Sequence, residues 1–359
     1  MMNMNKSIFF SLLLLTASSL PAQNEPSPAF SGYLETYYSY DAGNPENGAR
    51  PPFVYSHNRH NEVNLNLGFV KAAYAAQNFR GNLALMAGTY ANANLAAEPG
   101  VLKNIFEANA GVKIAKNKNL WVDAGIFASH IGFESAIGKD CWALTRGILA
   151  DNSPYYESGV KITYTTEDGR WLASGLLLNG WQRIQRPAGN STPALGHQLT
   201  FKPNANVTLN SSSFIGSDTP DSTRLMRYFH NFYGIFQMNE KLGITLGFDI
   251  GAQESGLRKG DYHTWYTPIL MLRLAASERI LLALRGEYYS DQQGVIISTG
   301  TPNGFQTFGY SLNLDYQISD HVMWRIEGRG FNSKDRIFTL GGDASRNNFF
   351  FTTALALSF

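Results

Sequence analysis

Phe349-Phe350-Phe351-Thr352-Thr353-Ala354-Leu355-Ala356-Leu357-Ser358-Phe359 closes the chain, and its alternation decides the fold. Successive side chains of an extended strand point to opposite faces. Phe349, Phe351, Thr353, Leu355, Leu357 and Phe359 therefore share one face, and Phe350, Thr352, Ala354, Ala356 and Ser358 share the other. The same two-sided pattern recurs upstream. Ile244, Leu246, Phe248 and Ile250 oppose Thr245, Gly247, Asp249 and Gly251. Leu312, Leu314, Tyr316 and Ile318 oppose Ser311, Asn313, Asp315 and Gln317, while Trp324 and Ile326 oppose Arg325, Glu327 and Arg329. Val63, Leu65, Leu67 and Phe69 alternate with Asn64, Asn66 and Gly68. Such strands stand between two different environments.

Extending this reading outward predicts strands near 31–40, 60–72, 79–91, 104–114, 120–128, 155–166, 171–181, 196–202, 206–216, 224–236, 242–253, 263–275, 279–291, 305–318, 322–332 and 347–359. That is about sixteen, within a range of 14–18 set by the uncertainty of such boundaries. Tight turns at Asn117-Lys118-Asn119, Glu167-Asp168-Gly169, Pro203-Asn204-Ala205, Asn239-Glu240, Ser277-Glu278 and Ser319-Asp320 alternate with longer links at 41–59, 92–103, 129–154, 182–195, 217–223, 254–262, 292–304 and 333–346. Short turns at one end and long loops at the other mark an antiparallel outer-membrane barrel. Strands of about 9–11 residues suffice to cross the hydrocarbon when tilted, and the predicted ones reach that length, whereas sandwich strands average about 5–6. A soluble sandwich or solenoid is the competing all-β reading, and it gives no reason for the regular rhythm of the links.

Composition agrees. The 359 residues are 44% hydrophobic, 13% aromatic and only 16% charged, against about 25% charged in an average soluble domain. Lys and Arg total 29 against 28 Asp and Glu, so no cationic excess exists for nucleic-acid phosphates. The single cysteine, Cys141, excludes a disulfide framework and Cys-rich zinc sites. Residues 1–22 read as an export signal: Lys6 is the basic start, Ile8 to Leu15 the apolar stretch, and Thr16 to Ala22 the small-residue exit. The mature barrel is then expected over 23–359. Beyond Phe30 no apolar run exceeds five residues, far short of the about 20 that a membrane helix needs.

If the apolar rows face lipid, the polar rows face the lumen. Parity assigns to the pore lining Glu35, Glu62, Glu107, Lys113, Asp123, Glu157, Lys161, Asp249, Arg285, Glu287, Asp315, Arg325, Glu327 and Arg329. In a wet lumen these charges cost little, whereas facing lipid at the midplane they would cost about 2–4 kcal/mol. A sixteen-stranded barrel is wide enough for an aqueous channel. Tyr33, Tyr37, Tyr38, Tyr40, Tyr155, Tyr156, Tyr288 and Tyr289 lie near loop ends, where rings of an aromatic girdle belong; neighbours in sequence must split between the two faces. The longest link, 129–154, can fold into the bore and narrow it, with Glu134, Lys139, Asp140 and Arg146 as constriction candidates. His57, His60, His130, His197, His230, His263 and His321 form no HExxH motif, and no GxSxG or Walker pattern occurs. No catalytic set, metal site or cofactor is expected.

Several stretches carry a resemblance. Ser31-Gly32-Tyr33-Leu34-Glu35-Thr36-Tyr37-Tyr38, Glu107-Ala108-Asn109-Ala110-Gly111-Val112, Asp123-Ala124-Gly125-Ile126-Phe127-Ala128-Ser129-His130-Ile131-Gly132-Phe133-Glu134-Ser135, Ser153-Pro154-Tyr155-Tyr156-Glu157-Ser158-Gly159-Val160 and Leu178-Asn179-Gly180-Trp181-Gln182 are similar to the OmpL-like β-barrel porins of the Bacteroidetes outer membrane. The similarity spans the mature chain and is densest between 104 and 182. It implies an outer-membrane barrel with porin activity, and carries over no catalytic residues. Phe359 looks like the aromatic end read by the barrel assembly machinery. The expected partners are small hydrophilic solutes or ions, outer-membrane lipid, and a homo-oligomer or envelope-complex partner. Three functions are weighed: passive diffusion of small hydrophilic solutes, display or docking as an adhesin or complex subunit, and an outer-membrane enzyme. The last would require a Ser–His–acid set, which parity does not supply.

Overall fold

The computed structural model describes residues 27–258 and 260–359. The expected export signal lies outside the described residues. Along the chain run β1 (Ala29–Asp41), β2 (Val63–Ala75), β3 (Phe79–Ala87), β4 (Ile105–Lys113), β5 (Asn119–Ala128), β6 (Tyr156–Thr165), β7 (Trp171–Leu178), β8 (Ala194–Asn204), β9 (Val207–Gly216), β10 (Arg227–Gln237), β11 (Leu242–Glu254), β12 (Tyr262–Ala275), β13 (Ile280–Asp291), β14 (Phe305–Ser319) and β15 (Val322–Ser333). A small hairpin, β16 (Phe338–Leu340) and β17 (Asp343–Ser345), precedes the final strand β18 (Asn347–Ser358). All but the hairpin form one closed barrel in which each strand pairs with its sequence neighbours and β18 returns to β1. Closure leaves no unpaired strand edge, the condition for crossing lipid.

The sixteen barrel strands coincide with the sixteen expected segments, and the pairing is antiparallel throughout. Short polar side chains set the tight turns by accepting backbone N–H groups. Asn239 Oδ1 accepts from Lys241 and Leu242, and Ser277 Oγ from Arg279 and Ile280. At the seam, the Gly32 N–H donates to the Phe359 carbonyl at 2.9 Å, and the Phe359 N–H returns a bond to the Gly32 carbonyl at 3.1 Å. A Cβ on Gly32 would lie 2.3 Å from the Phe359 ring, so the bare backbone makes room for the terminal aromatic.

Alternation sorts the walls as expected. In β18, Phe349, Phe351, Leu355 and Leu357 stand outward and exposed while Phe350, Thr352, Ala354 and Ala356 are buried inward. Leu246, Phe248 and Ile250 do the same on β11, and Leu312 on β14. The tyrosines divide: Tyr38, Tyr40 and Tyr288 lie on the outer face, but Tyr33, Tyr37, Tyr155, Tyr156 and Tyr289 are buried inside. Tyr40, Tyr228, Tyr262, Tyr266 and Phe349 mark the outer wall near the long loops, and Phe79, Trp171, Trp324 and Phe359 mark it near the short turns. These two bands are the girdles of a membrane barrel.

Two departures from the sequence reading matter for the interior. The third strand ends at Ala87 rather than 91, because Gly88 (φ 128°) turns the chain into the short helix α1 (Thr89–Asn94). A Cβ at Gly88 would meet the Asn66 carbonyl at 2.4 Å. β-Bulges also interrupt the alternation. Asn66 is the extra residue of β2, since Glu35 pairs with Leu67 and Thr36 with Leu65. Phe106 is the extra residue of β4, since Ala84 pairs with Glu107 and Leu85 with Ile105. The uniform apolar face expected for Val63, Leu65, Leu67 and Phe69 is therefore wrong. A bulge reverses parity, so Val63 stays outward while Leu67 is buried inside and Phe69 joins the interior cluster.

Candidate functional site: a bore occupied by its longest loop

The 129–154 link enters the barrel and crosses it. It begins against β9 and β10. There the Ser212 hydroxyl donates to the His130 carbonyl at 2.8 Å, His130 Nε2 lies 2.8 Å from the Ser213 carbonyl, and the Gly132 N–H donates to Asn231 Oδ1. His130 Nδ1 meets Glu157 of β6 at 2.7 Å. The middle of the loop reaches the far wall. Arg325 donates to the carbonyls of Gly138 and Cys141, and the Lys139 N–H donates to the Tyr33 hydroxyl. The backbone then runs along β14, β15 and β13. Leu144 N–H donates to Asn313, Thr145 N–H to Glu327 and Ile148 N–H to Glu287. The turn α2 (Ile148–Asp151) closes this path, and Asp151 accepts the Ser56 hydroxyl at 3.0 Å.

An ion network underlies the seat. Arg285 bonds Glu327 and the Thr145 carbonyl, Arg329 bonds Glu287 and the Arg146 carbonyl, and Arg325 bonds Asp315 through two nitrogens. Every one of these charged side chains is at most 3% exposed. Buried ions are tolerated when paired and fully hydrogen-bonded. Here the wall supplies the ions, and the loop supplies further acceptors and donors from its backbone and the Thr145 hydroxyl, leaving Arg285 Nε and Arg329 Nε without a hydrogen bond.

That geometry changes the meaning of several expected site residues. Glu35, Asp123, Glu157, Asp249, Arg285, Glu287, Asp315, Arg325, Glu327 and Arg329 do face inward, but they are buried rather than bathed in lumen water. Glu35 is held by the Tyr33 hydroxyl, Asn66 and His57, the last brought in by the first long link. Of the constriction candidates, Glu134 and Arg146 are buried and stabilise the loop itself. Glu134 accepts the Gly147 N–H at 2.8 Å, and Arg146 donates to the carbonyls of Ser135, Ala136 and Leu144. Burial raises the Glu134 and Asp151 carboxyls above their usual range, and pushes the Cys141 thiol up to about 11. Lys139 and Asp140 remain well exposed and pair with each other at 2.9 Å. Glu62 lies outside β2, exposed beside Arg59 at the outer rim.

The loop leaves the β2–β8 side of the bore less covered. Lys71 pairs with Glu107, and Arg80 grips Asp123 through two nitrogens. Lys161 lies over the Phe127 ring at 4.6 Å, and Lys113 ends β4 half-buried. Asn82 bonds Asn109, Thr163 bonds Ser174 and Gln198 bonds Asn210. Lys71, Arg80, Asn82 and Asn109 were absent from the sequence-based lining. The β2 bulge reverses the face of Lys71, whereas Arg80 and Asn82 share one parity on β3, opposite the exposed Phe79 and Leu83. Between this wall and the loop lies a cavity of about 340 Å³.

On the outer wall, Ser213 and Ser211 contact His197 and His230, the latter at 2.9 Å. Among the described residues neither imidazole bonds a carboxylate, so the acid of a nucleophile–base–acid set is missing. No group of three or more metal-ligating side chains occurs among the described residues.

A closed sixteen-stranded barrel with apolar outer wall, aromatic girdles and an inward-folded loop is the architecture of an outer-membrane porin. Solved structures share the barrel fold. The chain aligns with the anion-selective porin from Comamonas acidovorans at TM-score 0.60 and 9% identity, covering 93% of this chain and 99% of that one. It aligns with the outer-membrane channel DcaP of Acinetobacter baumannii at 0.61 and 9%, covering 96% and 100%. The trimer form of OmpT, an outer membrane protein of Vibrio cholerae, gives 0.58 and 9%, with 93% and 99% covered. No curated protein matches the sequence. The chain belongs to the family described as "Putative beta-barrel porin-2, OmpL-like", whose profile matches residues 28–359. It is an outer-membrane β-barrel porin.

Proposed function

We propose that this porin passes small hydrophilic solutes by passive diffusion along the side of the bore that the 129–154 loop leaves uncovered. The observation that carries the reading is the seating of that loop. It is pinned to β9, β10 and β13–β15, while on β2–β8 Glu157 alone is drawn to it, through His130, and the pairs Lys71–Glu107 and Thr163–Ser174 form without it. Lys139 and Asp140 are the exposed charges on the loop, and they bias which ions pass; Glu134 and Arg146 act by holding its shape. Purified protein in a planar bilayer is expected to give discrete conductance steps. A folded barrel that never conducts would overturn the proposal.

The packed upper bore also favours a second reading, a barrel used chiefly for display or docking in an envelope complex. A partner that copurifies stoichiometrically from native membrane, together with absent conductance, would select it. In either case we read the chain as having no enzymatic activity, as exported by residues 1–22, and as presenting Phe359 to the assembly machinery. The trimer form of the Vibrio cholerae neighbour supports a homo-oligomer, which mass measurement in detergent would test.

A further inference from the structure

The cavity beside the inner loop has an unusual lining for a hydrophilic passage. Phe69, Phe106, Met86, Ile131 and Phe133 are among the apolar side chains that line it. Phe69 and Phe106 stack in parallel with centroids 4.7 Å apart. The polar part of the lining is the ion pair of Lys71 with Glu107, whose side chains are 27% and 17% exposed, together with Ser129, Ser135 and Glu134 from the loop. Unlike the sealed pairs on β13–β15, this pair is open to a third party. Its volume of about 340 Å³ lies at the small end of ordinary ligand sites.

Two of the barrel's four register shifts deliver residues to this place, the other two lying at short turns on β14 and β8. The extra residue Asn66 turns Phe69 and Lys71 inward on β2, and the extra residue Phe106 sits beside Glu107 on β4. Bulges re-aim side chains next to functional sites. Two of them converging on one cavity argue that its lining is built rather than incidental.

We propose that this cavity is a binding subsite for free α-amino acids with apolar side chains. The solute's carboxylate replaces Glu107 as partner of Lys71, its ammonium replaces Lys71 as partner of Glu107, and its side chain lies against Phe69 and Phe106. A zwitterion matches the site because both wall charges keep an opposite partner throughout the exchange. A sugar does not, because it carries neither of the two charges needed to replace a partner of Lys71 or Glu107. The inference rests on the porin reading for access to the cavity, but binding and passage are separable.

The test uses the full-length folded protein in two assays. In liposomes, L-phenylalanine is expected to enter several-fold faster than glucose and also faster than the smaller sugar xylose. In Lys71→Gln and Glu107→Gln the phenylalanine-to-glucose flux ratio should drop by about tenfold, the loss of one charge-assisted contact. Calorimetry on the detergent-solubilised protein should show binding of phenylalanine but not of 3-phenylpropanoate or phenethylamine, each lacking one charge. Phe69→Ala, which leaves the ion pair intact, should weaken phenylalanine binding without affecting glycine. Flux ordered by size alone, equal binding of the single-charge analogues, or variants with the wild-type ratio would overturn the proposal. Binding of phenylalanine without any conductance would keep the subsite and reject the diffusion channel.

Discussion

Arg325 reaches three groups at once: Asp315 on the neighbouring strand and the carbonyls of Gly138 and Cys141 on the loop. A guanidinium suits this role because its donors form a planar fork. Replacing it by methionine keeps the bulk but leaves Asp315 charged, buried and without its counter-ion. Breaking one side of such a pair costs about 3–5 kcal/mol, whereas replacing both sides by apolar groups is often neutral. Arg325→Met should therefore lower the urea midpoint and expose 129–154 to protease, and Arg325→Met/Asp315→Leu should recover much of the stability. Equal loss in both variants would show that the charge pair is not the cause. The sequence placed Arg325 and Asp315 inward, because strand parity is local. It could not show that they are dry, because that depends on a loop nearly two hundred residues away in sequence.

Among elements, the strands were legible and the contents of the bore were not. Sixteen segments read from alternation match sixteen barrel strands, since each face sees one solvent along its whole length. The exceptions are instructive: the bulge at Asn66 flips parity without altering composition, so Phe69 and Lys71 read as belonging to the wrong faces. The loop itself is polar and apolar without period, and its path is set by partners on β9, β10 and β13–β15. Removing it is informative. With 133–151 replaced by a short Gly-Ser linker, the charges of β13–β15 would face lumen water, where they cost little. The barrel is then expected to fold and conduct several-fold more current than wild type; unchanged conductance would mean that the loop does not set the constriction. Acidity acts on the same element through His130. Burial alone would lower its pKa, but the adjacent Glu157 carboxylate and its hydrogen bond outweigh burial and raise it. Its contribution to loop seating is thus complete below the unfolded histidine value and lost as pH rises through the higher folded value. His57 has the opposite sign: burial leads and lowers its pKa, so its contribution is lost on acidification. Protease nicking of the loop, followed between about pH 5 and 8, should increase at the alkaline end in wild type. That alkaline arm should flatten in His130→Gln.

At the scale of the whole molecule, the shortage of charge in the sequence and the two-sided strands have one cause, an outer wall in hydrocarbon. The wall's exposed leucines and phenylalanines would be an aggregation hazard in water, and the aromatic bands at its two ends place it across a bilayer. β14 allows a test of depth on a single strand. Leu312 faces outward and Ile318 is exposed beside the short turn, at 56% and 48%, Leu312 lying in the middle of Phe305–Ser319 and Ile318 at its turn end. In a membrane, arginine near the midplane costs about 2–4 kcal/mol and near an interface about 0–1 kcal/mol. Leu312→Arg should therefore destabilise the lipid-embedded barrel strongly and Ile318→Arg hardly at all. Exposed surface substitutions in water stay within about 0.5 kcal/mol, so a wall that met water would tolerate both equally. Reversible urea unfolding in vesicles measures the difference, and equal effects would contradict the membrane placement. A depth-dependent gap would not come from changed contacts inside the barrel, because both side chains are exposed rather than packed in its interior.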